Sequence, residues 1–429
     1  VNSEIGFPRD FIWVLEPVLP RHEDSPQLGT YTGGQELLVD FADFTICSIP
    51  DDDWPFHEKD ERIGHKGIHS PSGASLGNLA DAEFDFLNAV ISGQNDIPNS
   101  LVLCLVDYAI SGAFRWRKHL QEFIGNKSTS SWMDALSETL PRHAVMIHQS
   151  RLKEHQQEGK RLVHLAWAKA KKYLDNQDAV FKQRVQHFIA SSNRLNRSLE
   201  CDDDFHLALQ GIISVTEREI ALQDNHGNLY QSPDFVYLLN SDTEHHLNYE
   251  PGSPLETKKA AIVLGGDKLS RGLTIEGLTV SYFVRSQKES LADTVMQMAR
   301  WFGHKADYLH LMRIYLQEVN IRLFQDLVYE DLRLRYELKK DIFQNVSPMD
   351  SSFHLRSSKL FKPSNRQKTR VLEEAFLDDF SNGAADVKWF TPDVQRIELN
   401  SKTLKEYKAK WTDAHISKKV HSNRACLYN

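Results

Sequence analysis

Cysteine is scarce in this chain of 429 residues, and its few copies stand far apart. The four cysteines are Cys47, Cys104, Cys201 and Cys426, and no two of them show the C-x-x-C spacing. Zinc sites are commonly built on such pairs, and disulfide-stabilised secreted domains carry a higher density of cysteine. The sequence therefore predicts no zinc site, and its cysteine usage is typical of a protein of the reducing cytoplasm.

Long hydrophobic runs are also absent. The longest apolar run, LVLCLVDYAISGAF at residues 101–114, is shorter than the roughly 20 residues needed to cross a bilayer, and it contains Asp107. This run predicts a helix in a protein core. No membrane partner is expected.

The chain has no excess of positive charge. Its net charge is −8 and its pI is about 6.2, which excludes a generally polybasic nucleic-acid binder and leaves only a local basic patch. The segment 354–370 contains no carboxylate and could follow a phosphate backbone. Its candidate cations are Arg356, Lys359, Lys362, Arg366 and Lys368. The alternative is a solvated basic loop that offsets the acidic remainder.

Five short apolar runs predict a parallel sheet. They are HAVMIH (143–148), FVYLLN (235–240), AAIVLG (260–265), TVSYFVR (279–285) and LHLMRIYL (309–316). Apolar runs without alternation suit strands that are buried on both faces, and helical patterns lie between them. The predicted class is therefore an α/β fold with one parallel sheet.

The chain length is enough for two or three domains. We predict helical accessory structure over 1–130, an α/β lobe over 131–345 with a helical insertion at 151–222, and a basic segment with a mixed tail over 346–429. Asp202 and its acidic neighbours are expected to cap a helix of the insertion. Internal repeats are absent.

A glycine bend follows one of the predicted strands. Gly265 and Gly266 end the run AAIVLG, and Arg271 and Gly272 follow soon after. A turn with few side chains lets backbone N–H groups approach a phosphate, beside a fixed cation. A helix predicted over 294–303 would then bring the amide of Gln297 and the guanidinium of Arg300 to one face. The alternative is a plain strand, turn and helix without a ligand.

The order of these features resembles the second RecA-like lobe of superfamily 2 helicases. That lobe carries a D-x-x-x-R-G-L-[DT] segment after a strand, and here Asp267, Arg271, Gly272, Leu273 and Thr274 match it. The resemblance implies a RecA-like parallel sheet lobe.

The chain more closely resembles the Z-one domain family, which is attached to superfamily 2 helicase-like ATPase cores in prokaryotic restriction and defence loci and to which an endonuclease role is ascribed. The matching segments are residues 265–278, 281–285 and 293–305, with FPRDF (7–11) and YTGG (31–34) earlier in the chain. The likeness covers about 1–370. Ala299, His304 and Lys305 depart from the family pattern, where glycine, tyrosine and arginine stand.

This resemblance implies that Arg300 is the motor arginine, which reaches the γ-phosphate of ATP. The ATP and its Mg²⁺ would be held mainly by another lobe. The nucleotide-contacting residues that it implies are Gly265, Gly266, Asp267, Arg271, Gly272, Thr274, Gln297 and Lys305. Lys268 and Ser270 are implied to touch nucleic-acid phosphates. Lysine at position 305 is a point charge and would weaken the nucleotide contact.

No phosphate-binding loop of the form G-x-x-x-x-G-K-[ST] occurs in the sequence. We therefore expect a fragment or one half of a split protein, whose missing first RecA-like lobe acts in cis or in trans. Such a lobe should not hydrolyse ATP alone. DNA, and methyltransferase or nuclease subunits of a defence system, are the further partners that the resemblance implies.

Two other functions stay open. The lobe could be a degenerate interaction module that has lost turnover. It could also be a metal-dependent endonuclease, for which Asp234, Glu256 and Lys258 stand in a PD…E-x-K order. His245 and His246 lack a second ligand at helical spacing, so we predict exposure to solvent and no metal site.

Overall fold

The computed structural model describes residues 32–54, 76–124, 139–150, 152–224, 226–270, 273–284, 292–303 and 305–343. Within these ranges no helix is long and apolar enough to cross a membrane. Several predicted features lie outside the described residues: the segments 7–11 and 346–429, and Arg271, Gly272, His304, Arg356, Lys359, Lys362, Arg366 and Lys368.

One six-stranded parallel sheet forms the centre of the described chain. The strands of the chain are β1 (Ile46–Ile49), β2 (His143–His148), β3 (Ile220–Gln223), β4 (Leu229–Ser232), β5 (Val236–Leu239), β6 (Ala260–Gly265), β7 (Leu278–Phe283) and β8 (Arg313–Gln317). The sheet has the order β1-β8-β7-β2-β6-β5, while β3 and β4 form a separate antiparallel hairpin. The predicted α/β class with a parallel sheet is confirmed, and the architecture is consistent with a RecA-like lobe.

The longer helices lie between the strands in the chain, except the last, which follows β8. They are α1 (Leu76–Ile91), α2 (Asn99–Ile124), α3 (Lys153–Asn176), α4 (Ala179–Arg194), α5 (Asp203–Thr216), α6 (Ala292–Met298) and α7 (Glu318–Phe343). The predicted helical insertion corresponds to α3, α4 and α5. As predicted, Asp202 caps α5: its carboxylate accepts a hydrogen bond from the Phe205 backbone N–H at 3.0 Å.

Two layers of helices cover the sheet, because successive residues of a strand point to opposite faces. In β2, Val145 and Ile147 join the core that packs against α2, α3, α4 and α5. Ala144 and Met146 join the core on the other face, beside α6, α7 and the turn Glu36–Asp40. β1 and α2 belong to this sheet and its cores, so the sheet draws on both sides of the predicted boundary near residue 130.

All six sheet strands run in one direction, so their carboxyl ends meet along one edge. We call it the carboxyl edge and the opposite one the amino edge. In open α/β sheets, ligands bind outside the carboxyl ends of strands. The position of each predicted residue relative to these edges therefore bears on its role.

Candidate functional site

The glycine bend lies at the carboxyl edge, where β6 ends. A Cβ atom on Gly265 would stand 2.7 Å from the Leu239 carbonyl oxygen of neighbouring β5 and 3.1 Å from Leu269 Cγ. Gly265 is therefore required by close packing between strands. The carbonyl of buried Gly266 accepts from the Leu269 N–H at 3.0 Å and so closes the turn into the short helix Asp267–Ser270.

Arg300 lies against this bend. Its Nε donates a hydrogen bond to the Leu269 carbonyl at 2.7 Å, so the guanidinium is anchored beside the turn that follows Gly266. Partial burial lowers the pKa of Arg300 from its usual value. Within the described residues no carboxylate forms an ion pair with Arg300, and its remaining guanidinium N–H groups make no hydrogen bond there. These donors are available to an anion.

The helix that precedes Arg300 is shorter than predicted. We expected it to continue over 294–303, but α6 ends at Met298, and the Arg300 N–H bonds to the Met298 carbonyl at 2.9 Å in a turn. Gln297 is exposed on α6. The two residues therefore do not share a helical face, and Arg300 is oriented by its bond to Leu269.

The segment that carries Arg300 is hydrogen-bonded to Thr32 of the YTGG segment. Thr32 and Gly303 exchange two backbone hydrogen bonds, of 2.7 Å and 3.0 Å. Gly303 has φ of +132°, a conformation that favours glycine. Sequence reasoning noted YTGG only as part of the resemblance and missed this pairing, because a contact across about 270 residues leaves no local pattern.

The other predicted residues near the bend differ in their contacts. Asp267 and Thr274 are exposed, as a ligand contact would require. The Lys268 ammonium donates to the Asn240 carbonyl at 2.6 Å and so holds the loop after β5, next to the bend. The side chain of Ser270 lies outside the described residues.

Lys305 lies at the amino edge, away from the bend. Its buried ammonium donates to the carbonyl of Leu278, the first residue of β7, at 3.0 Å and lies 5.5 Å from the centre of the Tyr308 ring. Burial lowers the pKa of Lys305 to about 8. The predicted contact of Lys305 with a nucleotide at the bend is not supported, because its side chain points into the core to satisfy a strand carbonyl.

The three residues of the PD…E-x-K order, Asp234, Glu256 and Lys258, bind other groups of the protein. Asp234 is bound by Lys160 at 2.5 Å and by His164 at 2.9 Å. Burial alone would raise the pKa of Asp234, but these hydrogen bonds outweigh it and hold the pKa well below its usual range. The Lys258 ammonium donates to three backbone carbonyls, and burial lowers the pKa of Lys258 to about 7.

The third residue, Glu256, pairs with Arg142 at 2.6 Å. Both carboxylates thus form ion pairs with cations of the protein. Within the described residues no group of three or more histidines, cysteines or carboxylates could hold a metal ion. The predicted exposure of His245 is wrong: it is buried, and its Nδ1 accepts a hydrogen bond from the Leu238 N–H at 3.1 Å. His246 is exposed, as predicted.

Comparison with known proteins gives one match. The family model described as the Z1 domain matches residues 118–361, which is more than half of the chain. The matched range includes the strands from β2 to β8, the glycine bend and Arg300. No curated protein and no solved structure matches.

Proposed function

The chain belongs to the Z1 domain family, and on that basis we propose that it is the second motor lobe of a superfamily 2 helicase-like ATPase or translocase of a restriction or phage-defence system. In this role the lobe supplies Arg300 to the γ-phosphate of ATP, and the partner lobe mainly holds the ATP and its Mg²⁺. DNA is the track, contacted through the carboxyl edge and the basic segment 354–370.

The observation that carries the proposal is the position of Arg300. Its Nε is anchored to Leu269 directly after the glycine bend, at the edge of a parallel sheet where ligands bind. A guanidinium held by one donor keeps the others for a phosphate, and preorganised donors stabilise charge in a transition state most effectively. The chain lacks a phosphate-binding loop of its own, so turnover needs the partner lobe.

The test is ATP hydrolysis by this lobe together with its partner lobe, with and without DNA. We expect Arg300→Ala to lower kcat by about a thousandfold or more with a smaller change in KM, since an arginine finger acts on the transition state. The matched control is Arg335→Ala, because Arg335 is exposed on α7 and pairs only with Asp331 among the described residues. An Arg300→Ala variant that folds normally and keeps full kcat contradicts the role of Arg300.

A second candidate is a non-hydrolysing interaction module. The burial of Lys305 at the amino edge favours the interaction module. A buried Lys305 does not join Arg300 in neutralising a triphosphate. The same assay separates the two functions. If the lobe binds its partner and DNA but adding it does not raise ATP hydrolysis, the interaction module is the function.

A further inference from the structure

A small cleft lies beside the edge strand β1, on the sheet face opposite Arg300. It has a volume of about 310 Å³ and is bounded by β1, the turn that follows it, the start of α2, and α4. The lining includes two apolar and three polar side chains that matter here: Pro50, Leu103, Asp53, Arg184 and His187. None of these residues has a part in the function proposed above.

Arg184 is fixed rigidly at the base of this cleft. Its Nε and Nη2 donate to the two carboxylate oxygens of Asp107, which is fully buried on α2. Tyr315 of β8 donates its hydroxyl to the same carboxylate at 2.6 Å. The Arg184 Nη1 makes no hydrogen bond to any described residue, and the side chain keeps 18% of its surface exposed. Nη2 also donates to the Tyr315 hydroxyl at 3.2 Å, so the edge formed by Nε and Nη2 is held in place and the free donors are the N–H groups of Nη1.

Asp53 supplies an acceptor in the same cleft. Its Oδ2 accepts from the Ser100 N–H at the start of α2 at 2.5 Å, which fixes the carboxylate in one orientation. The other oxygen, Oδ1, has no hydrogen-bond partner among the described residues. The cleft therefore combines a fixed donor group, Nη1 of Arg184, with a fixed acceptor, Oδ1 of Asp53.

The charges of the cleft disfavour an anionic ring. Arg184 is already neutralised by Asp107, and Asp43, which also lines the cleft, pairs with Arg194, while the Asp53 carboxylate has no ion-pair partner among the described residues. Burial lowers the pKa of His187 to about 4, so its imidazole is neutral at pH 7 and contributes no positive charge. A ligand here should be uncharged where it is bound, and its flat faces can pack against Pro50 and Leu103.

We propose that this cleft binds a guanine base. Guanine carries the acceptors O6 and N7 on one edge and N–H donors on the adjoining edge, which matches Arg184 on one side and Asp53 on the other. Adenine presents its amino group where guanine has O6, so it would meet the guanidinium with a donor. The base can come from a free nucleoside or from an unstacked guanine of a single strand.

The experiment measures binding by titration calorimetry with the full chain. The probes are guanosine, adenosine, and two single-stranded oligothymidines, one of which contains a single central guanine. We expect guanosine to bind at least tenfold more tightly than adenosine, or the guanine oligomer at least tenfold more tightly than its all-thymidine counterpart. A preference only in the oligomers identifies the strand as the source of the base. Failure of both preferences overturns the proposal.

Asp53→Asn is the decisive variant. The asparagine carbonyl can still accept from the Ser100 N–H, so α2 should keep its start, while an amide nitrogen replaces the oxygen that would accept from the guanine N–H groups. Affinity for the guanine ligand should fall at least tenfold. Asp52→Asn is the matched control, because it removes the same charge from a neighbouring exposed residue that does not line the cleft. Equal affinity of the two variants, with unchanged melting temperatures, contradicts the role of Asp53.

Discussion

Several cations of this protein bind backbone carbonyls. Lys258, Lys268, Lys305 and Arg300 each donate to at least one main-chain oxygen. Arg115 donates to the carbonyls of Arg142 and Gly277, and burial lowers the pKa of Arg115. Carbonyls at strand and loop ends have no partner within the sheet, and a buried carbonyl without a hydrogen bond costs about 1–3 kcal/mol. These side chains therefore stabilise the ends of strands.

Gly277 provides a test of backbone packing at the residue scale. It has φ of +71°, and a Cβ there would lie 1.8 Å from the Arg142 carbonyl oxygen, where β7 begins beside β2. Gly277→Ala should cost about 2–4 kcal/mol, which combines left-handed backbone strain with a steric clash. Gly93 has nearly the same backbone, φ of +76°, with no atom within 4 Å of a Cβ, so Gly93→Ala should cost only about 1 kcal/mol.

The two variants are compared by urea unfolding. Equal losses in the free energy of unfolding for Gly277→Ala and Gly93→Ala would show that the carbonyl of Arg142 moves freely away from the new methyl group. That result would contradict the view that Gly277 fixes how β7 enters the sheet.

Individual residues were predictable where the chain itself carries the reason. The bend at Gly265 and Gly266 was found because two glycines end an apolar run. Its packing role was not visible, since the Leu239 carbonyl that excludes a side chain lies on another strand. The position of Lys305 was missed for the same reason, because the Leu278 carbonyl that it binds belongs to another strand. The burial of His245 was missed although its partner, the Leu238 N–H, lies only seven residues earlier.

The helix caps provide a test at the element scale. Asp178 caps α4 through the Phe181 N–H at 3.0 Å, and Asp202 caps α5 in the same way. Asp202 also receives two hydrogen bonds from Arg117, which lower the pKa of Asp202 to about 2. Asp178→Ala should cost about 1 kcal/mol, and Asp202→Ala about 2 kcal/mol, because an ion pair is lost with the cap.

Thermal or urea unfolding in an Arg117→Met background checks this difference. With the arginine absent, Asp178→Ala and Asp202→Ala should lower the free energy of unfolding by about the same amount. A difference that persists would mean that the ion pair is not its source.

Elements were predictable in proportion to their length and burial. β2 and β6 were located residue by residue, because every side chain in them is buried. β1 was missed, since Ile46–Ile49 contains a cysteine and an exposed serine and resembles a loop. The exposed hairpin of β3 and β4 was missed because its strands bury few side chains. The end of α6 at Met298 was missed because helix-forming residues continue beyond it.

At the scale of the whole molecule, the two proposed sites share the carboxyl edge but lie on opposite faces of the sheet. Four strand spacings separate β1 from β6. With about 4.8 Å per spacing, the sites lie about 19 Å apart along the sheet. Substitutions at such a distance are usually independent. The changes that Asp53→Asn and Arg300→Ala make in the free energy of unfolding should therefore add.

Buried histidines make stability depend on pH. Burial lowers the pKa of His143 and of His310 to about 3, so both are neutral in the folded protein while the unfolded chain binds protons near pH 6.5. Their contribution to stability is complete above pH 6.5 and is lost as pH falls toward 3. Around pH 5 the free energy of unfolding should fall by at least about 2.7 kcal/mol per pH unit, which corresponds to two protons.

Urea unfolding at pH 7, 6, 5.5 and 5 measures this slope. Above pH 4.5 most carboxylates keep their charge, so they contribute little to it. A slope near pH 5 that corresponds to the uptake of less than one proton on unfolding would contradict the neutral state of these two imidazoles.

The pairing of β1 with β8 has a consequence for biosynthesis. Ile46 lies beside Ile314, so about 270 residues must be translated after β1 before its neighbour exists. At about 5–20 residues per second, the nascent chain carries this strand unpaired for roughly 15–50 s. An unpaired strand offers free N–H and C=O groups to other chains. Holdase chaperones acting on ribosome-bound intermediates should therefore have their greatest effect on the yield of this protein before β8 emerges.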